Sequence, residues 1–99
     1  MDATPKPPTR IDDVQASDLM ALTEREREVL YWLGCGLSRE EIAREICRSA
    51  KTVDTHRSNI MEALNVHGGN ATVKLALLGQ RYASELRPAQ PVNSIAKAK

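Results

Sequence analysis

Phenylalanine is absent from this sequence, and its aromatic residues are only Tyr31, Trp32 and Tyr82. A core must therefore be built from Leu, Ile, Val and Ala. No stretch alternates Val or Ile with polar residues for the length of a strand, which excludes a sheet and makes the chain all-α. No apolar run approaches the roughly 20 residues of a membrane span, and the charged, Pro-rich start MDATPKPPTR is not a signal peptide. Cysteine is scarce as well. The spacing of Cys35 and Cys47 matches no zinc pattern, and His56 and His67 do not complete one. The two read as reduced, partly buried thiols of a soluble, cytoplasmic protein. No nucleophile–base pair, carboxylate dyad or phosphate loop is visible, so an enzyme is not expected, and neither metal nor cofactor is called for.

An excess of one charge is also missing. Between residues 22 and 82 there are nine Lys and Arg against eight Asp and Glu. A nucleic-acid binder usually carries a clearer positive excess, because phosphate contacts supply much of its affinity. Apolar residues thin out at both ends, where Pro, Ala and Lys collect. Residues 1–20 are expected to form a disordered or weakly helical tail, 21–83 the folded domain, and 84–99 a flexible tail. A core of about sixty residues lies near the lower limit for a domain that folds alone.

What is present is a series of helix start and stop signals. Thr23-Glu24-Arg25-Glu26 is a capping box, with Val29, Leu30 and Leu33 following on one face and Gly34-Cys35-Gly36 as the stop. Ser38-Arg39-Glu40-Glu41 repeats the box, with Leu37 placed to staple onto Ile42, and Ile42, Ala43 and Ile46 inward. Ser49 caps a third helix after a turn of two or three residues, and that helix runs to Leu64. Asn70 caps a fourth that runs toward Tyr82. A short helix joined tightly to a longer one predicts a helix-turn-helix within a four-helix domain.

An advance of about 100° per residue sorts the third helix into faces. Val53, His56, Ile60, Ala63 and Leu64 fall inward, with His56 expected to be partly buried and hydrogen-bonded. Lys51, Thr55, Ser58 and Glu62 lie opposite, flanked by Asp54 and Asn59. Any solvent-facing helix is polar outside, but short polar side chains with one lysine also suit entry into a major groove. The free N–H groups between Ser49 and Thr52 add a place for phosphate.

The fourth helix carries two apolar stripes. One is Val73, Ala76 and Leu77; the other, roughly opposite, is Ala71, Leu75, Leu78 and Tyr82. A domain this small is not expected to bury both, so the second stripe is read as a homodimer face. The alternative is that the stretch after Arg10, with Ile11, Val14 and Leu19, folds back over it.

These residues together resemble the LuxR/GerE-type helix-turn-helix of bacterial regulators. The likeness runs through Leu22-Thr23-Glu24-Arg25-Glu26-Arg27-Glu28-Val29-Leu30, Gly36-Leu37-Ser38, Glu41-Ile42-Ala43, Ser49 to Met61, and Leu64-Asn65-Val66. The resemblance implies a transcriptional regulator that binds double-stranded DNA, nucleoid-associated when bound, and is similar to the stand-alone members. It implies that Asp54, Thr55 and Ser58 read bases, that Lys51 and Thr52 touch backbone or base, and that Glu26 is structural. Arg57 and Asn59 complete the expected DNA-binding set; Asp54 could accept from cytosine N4, and Thr55 could pack on a thymine methyl. The sequence departs from the family at Glu62-Ala63 and around His67-Gly68-Gly69-Asn70, where basic residues are usual. Those losses support a second reading, in which the chain pairs with a full-length LuxR-type regulator and modulates it without strong DNA binding of its own.

Overall fold

A computed structural model describes residues 13–88. Six helical segments follow one another: α1 (Ala16–Met20), α2 (Glu24–Gly34), α3 (Arg39–Ile46), α4 (Ala50–Leu64), α5 (Ala71–Arg81) and α6 (Ala83–Leu86). The four expected helices correspond to α2 through α5.

Both capping boxes form. Thr23 Oγ1 accepts from Glu26 N at 3.1 Å while Glu26 Oε1 accepts from Thr23 N at 3.0 Å, which gives Glu26 its structural role. Ser38 and Glu41 repeat the exchange at 3.2 and 2.8 Å. Each pair satisfies two backbone donors that a helix start would otherwise leave unpaired.

Three helices also end alike. The backbone N–H one residue past the left-handed position closes a six-residue ring in Leu37→Trp32, Arg48→Ala43 and Val66→Met61. The left-handed residue itself is Gly36 (φ 89°), Cys47 (φ 57°) or Asn65 (φ 57°). Glycine takes this conformation without cost and asparagine with little; cysteine at this position is strained.

The core is aliphatic, as the absence of phenylalanine requires. Val29, Leu30, Ile42, Ile46, Val53, Ile60, Leu75 and Leu78 are buried in it. On α4, Val53, Ile60 and Leu64 face inward, but Ala63, expected with them, is exposed at the edge of the stripe. His56 is half-buried, and its Nδ1 has no hydrogen-bond partner among the described residues. Both cysteines are exposed rather than partly buried.

Packed structure extends beyond 21–83 in both directions. Val14 and Leu19 before it and Leu86 after it are buried in the core. Arg27 Nη1 donates to the Leu22 carbonyl at 2.6 Å and the Met20 carbonyl at 3.3 Å, tying α1 to α2. Ile11 and the remainder of both expected tails lie outside the described residues.

The face assignment of α5 is corrected by this packing. Ala71, Leu75 and Leu78 are buried in their own chain, and the Tyr82 hydroxyl donates to the Val14 carbonyl at 2.7 Å. The second stripe is therefore packed in its own core, covered in part by the returning N-terminal stretch, rather than left free on the surface. The residues left outside are Val73 and Leu77, 56% and 45% exposed. The physical cause is a backbone-to-backbone crossing of α2 and α5 at Gly34 and Gly79. A Cβ on Gly34 would lie 2.8 Å from Gly79 Cα, and one on Gly79 would lie 2.9 Å from Gly34 Cα. Only two glycines let the axes come this close, and that approach seats the stripe containing Gly79 against α2.

Candidate nucleic-acid interface

Three residues, Cys47 to Ser49, join α3 to α4, the tight connection of a helix-turn-helix. The reversal rests on two local devices: Cys47 in the left-handed conformation, and Ser49 Oγ accepting from Thr52 N at 3.2 Å. The Thr52 hydroxyl lies 3.1 Å from Ser49 Oγ, so it belongs to the cap rather than to the outer face of α4.

Along that outer face Lys51, Thr55, Ser58 and Asn59 are exposed together. The Thr55 hydroxyl donates to the Lys51 carbonyl one turn back at 3.2 Å, which orients the side chain and leaves the oxygen able to accept. Glu62 and Ala63 are exposed further along the helix, so the acidic departure noted in the sequence is on the surface.

Asp54 stands apart from this group. Its Oδ1 accepts from Arg39 Nε at 3.0 Å and its Oδ2 from Arg39 Nη2 at 2.7 Å, a bidentate pair between the first residue of α3 and the second turn of α4. Arg57 Nη2 approaches Asp54 Oδ1 from the other side at 3.5 Å. The hydrogen bonds from Arg39 hold the Asp54 carboxyl below the usual carboxylate range, against a smaller opposing effect of burial. The same hydrogen bonds raise Arg39 in turn. Both oxygens that were to accept from a base are thus already engaged.

Arg39 is the residue that sequence reasoning missed. A helical wheel treats each helix separately, and nothing in it couples positions 39 and 54 across a turn. Of the expected DNA-binding set, the fold brings Lys51, Thr55, Ser58 and Asn59 onto one exposed surface. It joins Asp54 to Arg39, sets Arg57 against Asp54, and places Thr52 in the cap. No group of His, Cys, Asp or Glu able to hold a metal occurs among the described residues, and no helix there is long and apolar enough to cross a membrane.

Comparison with known proteins bears on this geometry. Residues 20–76 match the family model described as bacterial regulatory proteins, luxR family. The chain belongs to that family. It is 48% identical over 56 residues to the uncharacterized response regulatory protein YgeK of Escherichia coli, covering 57% of this chain and 38% of that protein. It is 37% identical over 68 residues to the transcriptional regulatory protein FixJ of Rhizobium meliloti, covering 69% of this chain and 33% of FixJ. With the transcriptional regulatory protein UhpA of Escherichia coli it shares 51% identity over 45 residues, 46% of this chain and 23% of UhpA. The chain thus spans well under half the length of these relatives. No solved structure gives a significant match.

Proposed function

We propose that this chain is a DNA-binding transcriptional regulator that lays α4 in the major groove of double-stranded DNA. The observation that carries the reading is the exposed row Lys51, Thr55, Ser58 and Asn59 on a helix entered through a three-residue turn. In such a pair the second helix lies in the groove and the first crosses the backbone. Thr55, Ser58 and Asn59 then face base edges. Lys51 and Arg57 neutralise phosphates, and the amide end of α4 at Thr52 lies toward the backbone. FixJ and UhpA are named as transcriptional regulatory proteins, in agreement with the reading. It assigns no catalytic step, and it places the protein in the cytoplasm, on the nucleoid when bound.

The near-balance of charge favours binding as a homodimer, which doubles the phosphate contacts of one subunit. With Ala71, Leu75 and Leu78 buried, the dimer face moves to Val73 and Leu77, one turn apart on the outside of α5. The exposed Glu62 and this apolar pair also suit a second reading, in which α5 pairs with another regulator of the family and DNA binding is weak.

Selection of bound sequences from a random duplex library separates the two. The first reading expects enriched, two-fold-related half-sites; Thr55→Ala or Ser58→Ala shifts the preference, while Lys51→Ala weakens all sites about equally. No enrichment, together with a chain that is monomeric alone and associates with a family member, supports the second. Leu77→Asp is expected to abolish either association, as read by sedimentation.

A further inference from the structure

We propose that Arg39 is a phosphate-binding residue and that Asp54 acts on DNA through it, as a positioning residue rather than a base reader. The inference rests on the DNA-binding reading above. Arg39 is the first residue of α3, the helix that would cross the backbone when α4 occupies the groove. Its side chain remains 42% exposed although it makes three hydrogen bonds: Nε and Nη2 to Asp54, and Nη1 to Glu40 Oε2 at 3.0 Å. A guanidinium carries five N–H donors, so two remain for an incoming oxygen.

The Asp54 carboxylate fixes the position of those donors. A free arginine loses rotamer freedom when it grips a phosphate, whereas one already gripped along its Nε/Nη2 edge has lost much of it beforehand. Asp54 also lies between two guanidiniums, Arg39 and Arg57, and with Glu40 on Arg39 Nη1 the two positive and two negative groups balance, so the carboxylate's charge is offset. Removing Arg39 reverses this: the carboxylate would then face DNA with only the more distant Arg57 beside it. The sign of the Asp54 effect must therefore depend on whether Arg39 is present.

The test is DNA-binding affinity by fluorescence anisotropy on a selected duplex and a random duplex across a salt series, with circular dichroism as the control for folding. Arg39→Gln is expected to weaken both duplexes by roughly three- to tenfold and to lower the magnitude of the salt slope by about 0.9. Arg39→Lys keeps the charge and the slope but loses part of the affinity, because an ammonium cannot hold the bidentate pair. Asp54→Asn weakens binding in the parent chain, Asp54→Glu restores part of the loss, and Asp54→Asn added to Arg39→Gln strengthens binding.

Three results overturn the inference while leaving the DNA-binding reading intact. Arg39→Gln could leave affinity and slope at parental values. Asp54→Asn could weaken binding equally in both backgrounds. Either substitution could change the preference at one base pair, which would mark direct readout. A parent chain that binds no duplex at all overturns the reading and the inference together.

Discussion

Replacing Gly79 with alanine tests the crossing that decides which face of α5 is buried. Ordinary van der Waals contact begins near 3.4 Å, and a Cβ at position 79 would lie 2.9 Å from both Gly34 Cα and Gly34 N, and closer still to the Leu30 carbonyl oxygen. All three are backbone atoms, so no side chain can swing aside; clearing the Leu30 oxygen requires α2 and α5 to separate by about 1 Å. Overpacking of this kind costs about 1–3 kcal/mol, and more where the neighbours are rigid. Alanine gains up to about 1 kcal/mol over glycine in a helix interior, which offsets part of the loss. The net expectation is a destabilisation of about 2 kcal/mol, or a melting temperature lower by roughly 10 °C in a domain of this size. Urea denaturation and thermal melting followed by circular dichroism measure it. Gly69→Ala is the control, because a Cβ there meets nothing within 4 Å. A Gly79→Ala variant as stable as the parent, or more stable, would refute the close crossing and with it the assignment of Ala71, Leu75 and Leu78 to the core.

Further expectations concern the turn, the N-terminal stretch and the ion pair. Cys47→Gly removes the strain of a left-handed cysteine and should raise stability by about 0.5–1 kcal/mol in the same denaturation assay. Tyr82→Phe deletes the hydroxyl that donates to the Val14 carbonyl and should cost about 1 kcal/mol, with faster amide exchange in α1. For Asp54 the folded carboxyl is depressed below its ordinary value of 3.8, so its contribution to stability is fully present above that value. It is lost as pH falls through the lower, folded value. The stability difference between the parent and Asp54→Asn should stay constant from pH 7 to the ordinary carboxylate range and shrink only below it. A difference that changes near pH 6 would show another group at work.

Signals confined to one helix or one turn were legible in the sequence. Thr23 with Glu26, Ser38 with Glu41, and Ser49 start the expected helices, and Gly36 stops the first, because capping chemistry acts within four residues. The inward positions Val53, Ile60 and Leu64 followed from period alone. Relations between helices were not legible. The two stripes of α5 are similarly apolar, and only the approach of Gly79 to Gly34, far apart in the chain, selects one of them. That pair is a usable sequence signal: a glycine in line with buried leucines on each of two helices marks a close crossing. Asp54 illustrates the same limit at the candidate site. The wheel places it on the flank of α4's outer face, where it is half-buried, but its partner is on another helix, and the wheel carries no information about that.

Salt-dependent binding to a random DNA duplex is the most direct test of the central claim. Several phosphate contacts per subunit should make the logarithm of the affinity fall steeply and linearly with the logarithm of salt concentration, by about 0.9 per contact. The expected slope is reduced by about one unit for each of Lys51→Ala and Arg57→Ala. A parent chain with no measurable affinity at low salt, or with a flat slope that these substitutions leave unchanged, would contradict the placement of α4 against DNA.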